Sequence, residues 1–251
     1  MDAFVTSDIQ NGVGTITFFH PQSNSMPGSQ LRSLVTEIEK LGNDATVKVI
    51  VLKSGGDKAF CAGASFDELV AIDNLKDGKV FFSGFASVIN AMRKAPKFII
   101  ARIHGKAVGG GVGIASAADY AFATANADIK LSELTIGIGP FVVGPAVERK
   151  MGYAAFMQLT INASQWQTAQ WAKDKGLYAD VFETTAAMDT AVAHLASKLA
   201  ASNPEAMKEI KKMAWENTGH WDKLLAERAA ISGKLVLSDF TKNAIGQFKT
   251  K

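Results

Sequence analysis

Three short apolar segments, separated by helical patterns, constrain the fold of this chain most strongly. Residues 13–19, 47–53 and 98–103 are rich in β-branched and aromatic side chains and are bounded by polar, glycine or proline residues. Segments of this kind are typical of buried β-strands. An amphipathic helix that ends near Asn43 separates the first two, and another helix is predicted over residues 80–92. Strands that alternate with helices predict an α/β fold with a parallel or mixed sheet.

The second half of the chain has a different, helical pattern. Helical periodicity covers residues 147–161, 186–201, 204–216 and 221–236. We therefore predict an α/β core over residues 1–195 and a C-terminal α-helical region over residues 196–251. This region carries four aromatic side chains that either fold back on the core or cover a neighbouring subunit. They are Trp215, Trp221, Phe240 and Phe248.

Composition argues against several classes of protein. The net charge is only +3, and the chain has no stripe of alternating basic and aromatic residues, so we expect no nucleic-acid partner. The longest uncharged apolar run, residues 134–147, is short and rich in glycine and proline, so no membrane partner is expected. The single cysteine, Cys61, excludes an internal disulfide and fits a reducing compartment. The N-terminal residues are too polar for a signal peptide, and we expect a soluble, cytoplasmic protein.

A run of small residues follows the second predicted strand. Ala62, Gly63 and Ala64 allow a ligand to approach the backbone closely, and glycine adopts dihedral angles that other residues avoid. Asp67 and Glu68 then resemble the acidic first turn of a helix. Amides just before a helix point toward an anion or a carbonyl oxygen. An ordinary loop between a strand and a helix also fits this segment taken alone.

A glycine triplet, Gly109 to Gly111, follows the third predicted strand and opens a helix of small residues. Its N–H groups would be unobstructed by side chains. The segment lacks the lysine and hydroxyl residue of a phosphate-binding loop and the spacing of a dinucleotide fold. Close packing between helices is an alternative reason for small residues here, and it is the better explanation for Gly113 and residues 115–118.

Glu133 stands in a strongly apolar stretch of the sequence. A buried carboxylate needs a partner or a proton, and desolvation would raise its pKa so that it could shuttle a proton near neutral pH. A solvent-exposed glutamate is the alternative from this segment alone. His104 and Cys61 have no partner residues that would support nucleophilic catalysis. No metal-ligand spacing occurs either, so we expect neither a metal ion nor a separate cofactor.

Together and in this order, the three segments resemble the crotonase, or enoyl-CoA hydratase/isomerase, family. The matching motifs are Ala-Phe-Cys-Ala-Gly-Ala at residues 59–64, Lys-Ala-Val-Gly-Gly-Gly at residues 106–111, and Glu133 ahead of Gly-Ile-x-Pro. The resemblance extends over almost the whole chain. It implies a spiral of ββα units with a C-terminal α-helical trimerisation region. The expected assembly is a homotrimer or a dimer of trimers.

The resemblance also implies an acyl-CoA thioester as the substrate, so that coenzyme A enters with the substrate and no other cofactor is needed. The N–H groups of Ala64 and Gly110 would hold the thioester oxygen and stabilise an enolate, and Glu133 would move the proton. Further substrate contacts are implied for Ala62, Ser65, Phe66, Asp67, Gly109 and Phe141, and in the tail for Phe248 and Lys251.

One departure from the family pattern guides the choice of reaction. Family hydratases carry two glutamates, and the position of the first is occupied here by Gly113, which leaves Glu133 alone. A single glutamate can still take a proton from the α-carbon and return it at the γ-carbon. We therefore expect isomerisation of the double bond of a fatty enoyl-CoA.

Other functions stay open from the sequence. The chain would be an enoyl-CoA hydratase or a decarboxylating relative if a second acid came from elsewhere, and Glu68 is the nearest candidate. A non-catalytic acyl-CoA binding protein is the alternative of another class. Dienoyl isomerases and dehalogenases of the family have an aspartate where this chain has Phe141, which argues against both.

Overall fold

The computed structural model describes residues 2–249 of the chain, with side chains described through residue 247. The described part contains nine strands: β1 (Phe4–Gln10), β2 (Val13–Phe19), β3 (Val49–Ser54), β4 (Ala59–Cys61), β5 (Phe98–Ile103), β6 (Lys106–Val108), β7 (Tyr120–Thr124), β8 (Ile129–Lys130) and β9 (Asp180–Phe182). It also contains eleven α-helices: α1 (Gly28–Asn43), α2 (Phe66–Val70), α3 (Leu75–Lys94), α4 (Gly110–Ala117), α5 (Gly144–Met151), α6 (Tyr153–Ile161), α7 (Ala169–Asp174), α8 (Thr185–Ala200), α9 (Pro204–Ala214), α10 (Trp221–Leu235) and α11 (Asp239–Lys249).

The strands form two sheets. The larger sheet has the order β1-β2-β3-β5-β7-β9, and only its edge pair β1–β2 is antiparallel. The smaller sheet has the order β4-β6-β8, with all strands parallel. Each smaller-sheet strand follows a strand of the larger sheet after a short connection, so the chain winds repeatedly through both sheets. The predicted α/β class is confirmed by this mixed sheet and its crossover helices.

The helices cover the larger sheet on both faces. Leu31, Leu34, Ile38 and Leu41 lie on one face of α1 and are buried in the main hydrophobic core with strand residues such as Ile50. On the opposite face, α8 buries Met188 and Val192 against Val51 and Phe122. The core between the two layers therefore holds the strand ends, and the loops that follow them, in fixed positions.

The C-terminal helices pack on the rest of the chain. Helix α10 packs closely against α3. A Cβ atom built on Gly78 would lie only 2.7 Å from the carbonyl oxygen of Gly233, so the two backbones leave no room for a side chain at this point. Trp221 is buried and its ring meets that of Trp215 edge to face, with centroids 5.8 Å apart. Trp221 is therefore covered by its own chain, and Trp215 is half-buried beside it. Phe240 is exposed, and the side chain of Phe248 lies outside the described residues.

A buried ion pair connects α9 to residues that stand at the start of β5 and β7. The Nζ of Lys211 lies 2.8 Å from Oδ2 of Asp119 and also donates to the carbonyl oxygen of Lys97 at 2.7 Å. Asp119 accepts two further hydrogen bonds, from the backbone N–H of Ile99 and from Nε1 of Trp215. The Lys211 side chain is only 2% exposed. Burial lowers the pKa of Lys211, and the charge of Asp119 opposes that effect.

Replacing Lys211 by methionine should lower the free energy of unfolding by about 3 kcal/mol, because it leaves the charge of Asp119 buried without its cation. Urea unfolding monitored by circular dichroism measures this loss. Lys212→Met is the matched control, since Lys212 is exposed and pairs only at the surface with Glu209; it should change stability by less than ~1 kcal/mol. Equal losses in the two variants would contradict the structural role of the Lys211–Asp119 pair.

The structure agrees with most sequence-based elements and corrects some bounds. Strands β2 and β5 have the predicted bounds, and β3 begins at Val49 rather than at residue 47. The helix predicted over residues 147–161 is two helices, α5 and α6, which meet at Gly152. Helix α8 runs across the proposed division at residue 195 and packs on β3, β5 and β7. The division into residues 1–195 and 196–251 stays a prediction.

Candidate functional site

One cavity brings the sequence-predicted backbone donors and the predicted acid together. Its volume is about 370 Å³, and Ala64, Gly110 and Glu133 all line it. Most of its remaining wall is apolar and includes Leu69, Phe81, Phe82, Phe85, Ile138 and Phe141. Such a pocket, apolar with a few convergent polar groups, is typical of a site for a small molecule.

The Ala64 amide is held in place by the hydrogen bonds of its neighbours. After β4 the chain turns at Gly63, whose φ of +93° is one that a side chain would strain. The N–H of Met26 donates to the carbonyl oxygen of Gly63 at 2.8 Å, and the N–H of Ser65 donates to that of Met26 at 3.2 Å. Between these bonds, the Ala64 N–H has no hydrogen-bond partner among the described residues. It is available to an oxygen in the cavity.

The Gly110 amide is the first of helix α4, where an N–H has no partner within the helix. Gly109, at φ +52°, donates its N–H to the carbonyl oxygen of Lys130 at 2.9 Å, and this bond fixes the turn. The Gly110 N–H itself has no partner in the described part of the chain. A Cβ atom built on Gly63 would lie 4.0 Å from the Gly110 nitrogen, so the two donor segments are adjacent.

Glu133 begins a short 3-10 helix, Glu133–Ile136, beside these donors. A Cβ atom built on Gly109 would lie 2.9 Å from Oε1 of Glu133, which places the carboxylate against the glycine turn. The residue as a whole is half-buried because it faces the cavity, but Oε2 is inaccessible and has no hydrogen-bond partner among the described residues. This loss of water raises the pKa of Glu133 to about 7, against a smaller opposing effect of its own backbone N–H.

Gly113, the position of the missing second glutamate, lies under an apolar side chain. A Cβ atom built on Gly113 would lie 2.5 Å from Cγ1 and 2.8 Å from Cβ of Val143. The Cδ1 atom of Ile89 would lie 3.6 Å from the same Cβ atom, and Val143 is one of the residues that line the cavity. The volume that a second carboxylate would need is therefore filled by Val143. Close packing therefore explains the glycine at this position, as the small residues around it in the sequence predict.

The alternative acid, Glu68, does not line this cavity. Its Oε2 accepts a hydrogen bond from the backbone N–H of Gly28 at 2.8 Å, at the first residue of α1. Ser65 accepts a hydrogen bond from the Glu68 N–H through Oγ and so caps helix α2. The position of Glu68 in the first turn of α2 agrees with the sequence analysis, whereas a role as second acid has no geometric support.

The other predicted contact residues divide between the cavity and its surroundings. Ala62, Phe66, Gly109 and Phe141 line the cavity. The Ser65 side chain caps α2, and Oδ2 of Asp67 accepts from Nε2 of Gln22 at 3.1 Å, so both side chains are engaged outside the cavity wall. The predicted contacts of the Phe248 side chain and of Lys251 lie outside the described residues.

His104 and Cys61 are both buried away from the cavity. Burial raises the pKa of the Cys61 thiol to about 12, which keeps it protonated and unreactive. Burial lowers the pKa of His104, and both of its ring nitrogens lack partners in the described structure. Within residues 2–249, no group of three His, Cys, Asp or Glu side chains is placed to hold a metal ion. In the same range, no helix combines the length and the apolar character needed to cross a membrane.

Sequence reasoning missed several residues that line the cavity. Phe85 and Val143 come from distant segments, and Ser232 comes from helix α10 of the C-terminal region. Lys130 and Trp166 also lie in the wall. The only signal for Lys130 was its place three residues before Glu133, and nothing in the sequence marked Trp166.

Comparison with known proteins agrees with the fold and with the motifs. The sequence model described as enoyl-CoA hydratase/isomerase matches residues 8–244. A probable enoyl-CoA hydratase of Bacillus subtilis is 27% identical over 95% of this chain and 93% of its own length. The (E)-benzylidenesuccinyl-CoA hydratase of Thauera aromatica is 30% identical over 84% of this chain and 81% of its own length.

Solved structures share the fold. An enoyl-CoA hydratase from Bacillus halodurans superposes with a TM-score of 0.89 at 21% identity, covering 97% of this chain and 99% of that one. An enoyl-CoA hydratase from Mycobacterium smegmatis superposes with a TM-score of 0.80 at 26% identity, covering 94% and 91%. The predicted crotonase-like fold is confirmed. With the family model matching nearly the whole length, the chain is an enzyme of the enoyl-CoA hydratase/isomerase family.

Proposed function

We propose that this enzyme isomerises the double bond of an enoyl-CoA, with Glu133 as the only proton-transferring group. The observation that carries the proposal is that Glu133 is the single carboxylate of the cavity wall among the described residues, with Val143 in the place of a second one. The substrate is an acyl-CoA thioester, and we propose that the reaction needs no further cofactor.

The proposed reaction has two proton transfers. The carboxylate of Glu133 takes a proton from the α-carbon of a 3-enoyl-CoA, and the electrons of that C–H bond move into the thioester to form an enolate. The N–H groups of Ala64 and Gly110 stabilise the negative oxygen, as preorganised donors do in an oxyanion hole. Glu133 then delivers the proton to the γ-carbon, the enolate collapses, and the double bond lies between the α- and β-carbons.

The surroundings of Glu133 suit this shuttle. A carboxylic acid with a pKa of about 7 holds an abstracted proton and yet releases it readily at neutral pH. Ile136, Ile138 and Phe141 line the same cavity and limit the exchange of that proton with water.

Hydration is the second candidate function, and it is favoured by the names of the relatives, which are mostly hydratases. Adding water across a double bond needs a group that positions the water and moves its protons. Beyond Glu133, the side chains of the cavity wall include no second carboxylate among the described residues. A decarboxylating reaction and a purely acyl-CoA binding role are further alternatives, and both predict no turnover of an enoyl-CoA.

Incubation with trans-3- and trans-2-enoyl-CoA esters of several chain lengths, followed by chromatography of the products, tests the proposal. Isomerisation predicts that the 3-enoyl esters become 2-enoyl esters. Conversion of the 2-enoyl esters to 3-hydroxyacyl-CoA, with the 3-enoyl esters untouched, would replace it by the hydratase function. Absence of both products would favour the decarboxylase or the binding protein.

The pH dependence of turnover follows from the pKa of Glu133. Because the carboxylate is the base, kcat/KM should rise about tenfold per pH unit below about pH 7 and level off above it. The contribution of Glu133 to stability should be present below about pH 4.5, fall as pH rises to about 7 and level off above it, because the unfolded chain ionises this group at a pKa of 4.5 and the folded chain only at about 7. Thermal unfolding of wild type and Glu133→Gln between pH 5 and pH 8 measures this, and parallel curves would contradict it.

We further propose that the chain assembles as a homotrimer or a dimer of trimers and acts in the cytoplasm. Exposed apolar side chains in the described structure, among them Phe240, Tyr153 and Ile161, are candidates for subunit contacts. Light scattering at micromolar concentration should give a mass of three or six chains. A monomer under these conditions would contradict the proposed assembly.

A further inference from the structure

Two lysines face one aromatic ring at the edge of the cavity. The Nζ of Lys130 and the Nζ of Lys106 each lie 4.6 Å from the ring centroid of Trp166. Lys130 and Trp166 are both half-buried and line the cavity that contains Glu133, whereas Lys106 is exposed on the outer side. Two ammonium groups therefore lie against this indole ring, and one of them belongs to Lys130 in the wall of the cavity.

Neither ammonium group is neutralised by an acid of the described structure. No carboxylate lies within ion-pair distance of Lys106 or Lys130 among residues 2–247, and neither side chain makes a hydrogen bond there. Asp128, which immediately precedes β8, accepts a hydrogen bond from the backbone N–H of Ala169. Two like charges on one ring, of which that of Lys130 belongs to a half-buried residue, favour an anion beside them.

The position of Lys130 relates this charge to the reacting atoms. Val108 and Lys130 are partners in the parallel pairing of β6 and β8, and the carbonyl oxygen of Lys130 holds the N–H of Gly109. Lys130 is thus anchored next to the turn that presents the Gly110 donor. The ammonium group of Lys130 lies over the ring of Trp166, 4.6 Å from its centroid.

We infer that Lys130, supported by Trp166 and Lys106, binds a carboxylate at the far end of the substrate's acyl group. This inference rests on the proposed acyl-CoA site. A phosphate of coenzyme A is the other anion in such a ligand, but the long pantetheine arm separates it from the thioester, whereas Lys130 is anchored beside the oxyanion donors. The preferred substrate is therefore the mono-CoA ester of an unsaturated dicarboxylic acid.

Calorimetric titration with unreactive saturated esters tests the inference. Glutaryl-CoA and adipyl-CoA carry a terminal carboxylate, and pentanoyl-CoA and hexanoyl-CoA are the uncharged esters of equal length. The wild-type enzyme should bind one or both of the dicarboxylic esters at least about tenfold more tightly than its uncharged counterpart. Lys130→Met should remove this preference and leave the affinity for the uncharged esters within about twofold.

Two controls separate the possible sources of an effect. Lys223→Met, which removes an exposed lysine paired with Glu227 outside the cavity, should keep the preference. Free coenzyme A should bind equally to wild type and Lys130→Met. Equal weakening of coenzyme A and of all esters by Lys130→Met would assign Lys130 to a phosphate and overturn the inference, as would the absence of any preference in the wild type. Because the esters are saturated, the result does not depend on whether the enzyme isomerises or hydrates.

Discussion

Replacing Glu133 by glutamine should reduce isomerisation of a 3-enoyl-CoA by about two to four orders of magnitude, the usual contribution of a general base. Glutamine has nearly the same shape but cannot accept the α-proton, and no other carboxylate of the described chain lines the cavity. Steady-state kinetics give kcat, and titration with a saturated acyl-CoA gives the affinity, which should stay nearly unchanged.

Glu68→Gln is the matched control for this experiment. Glu68 is the acid that sequence reasoning named as an alternative, and its carboxylate is bonded to the Gly28 N–H outside the cavity. The control should keep most of the wild-type activity. If Glu133→Gln retained more than about a tenth of kcat, or if Glu68→Gln lost as much activity as Glu133→Gln, the single-acid account would be wrong.

Removing the Gly110 donor should have an effect of similar size, about a hundredfold to a thousandfold in kcat. Proline at this position deletes the N–H and is well accepted at the first residue of a helix. The structure adds a complication, because a Cβ atom on Gly110 would lie 2.2 Å from the ring of Phe85. The substitution is therefore made as Gly110→Pro in a Phe85→Ala background, where the ring no longer occupies that space.

The reference for this variant is the double variant Gly110→Ala with Phe85→Ala. Both variants place a Cβ atom in the cleared space, but only alanine keeps the N–H group. We expect the alanine variant to turn over at close to the rate of Phe85→Ala alone, and the proline variant to be nearly inactive while folded by circular dichroism. Equal activity in the two double variants would show that the Gly110 amide does not hold the reacting oxygen.

The fold was predictable where periodicity is strong. Buried strands such as β5 and the apolar face of α1 are specified by local sequence, and their predicted positions are confirmed. The edge strand β1 was missed because Asp8 and Gln10 interrupt its apolar pattern at an exposed edge. The strands of the smaller sheet were missed because runs of two or three residues are too short to show a period of two.

The site was predictable only in part for a similar reason. The backbone donors and Glu133 belong to short motifs, so their segments could be recognised from sequence. The contact of Val143 with Gly113 joins residues from different helices, and no local pattern encodes it. The approach of Lys106 and Lys130 to Trp166 likewise depends on the pairing of β6 with β8 and on a distant loop.

Mass spectrometry of the products formed in D2O tests the single-acid shuttle most directly. The enzyme is given a trans-3-enoyl-CoA and, separately, the trans-2-enoyl-CoA of the same length. The account predicts that the double bond moves in the 3-enoyl ester and that no water is added. The only change in mass expected is the replacement of a hydrogen by deuterium at a reacting carbon. Rapid addition of D2O to the 2-enoyl ester, with the 3-enoyl ester recovered unchanged, would contradict it and show that a second proton-transferring group acts in this cavity.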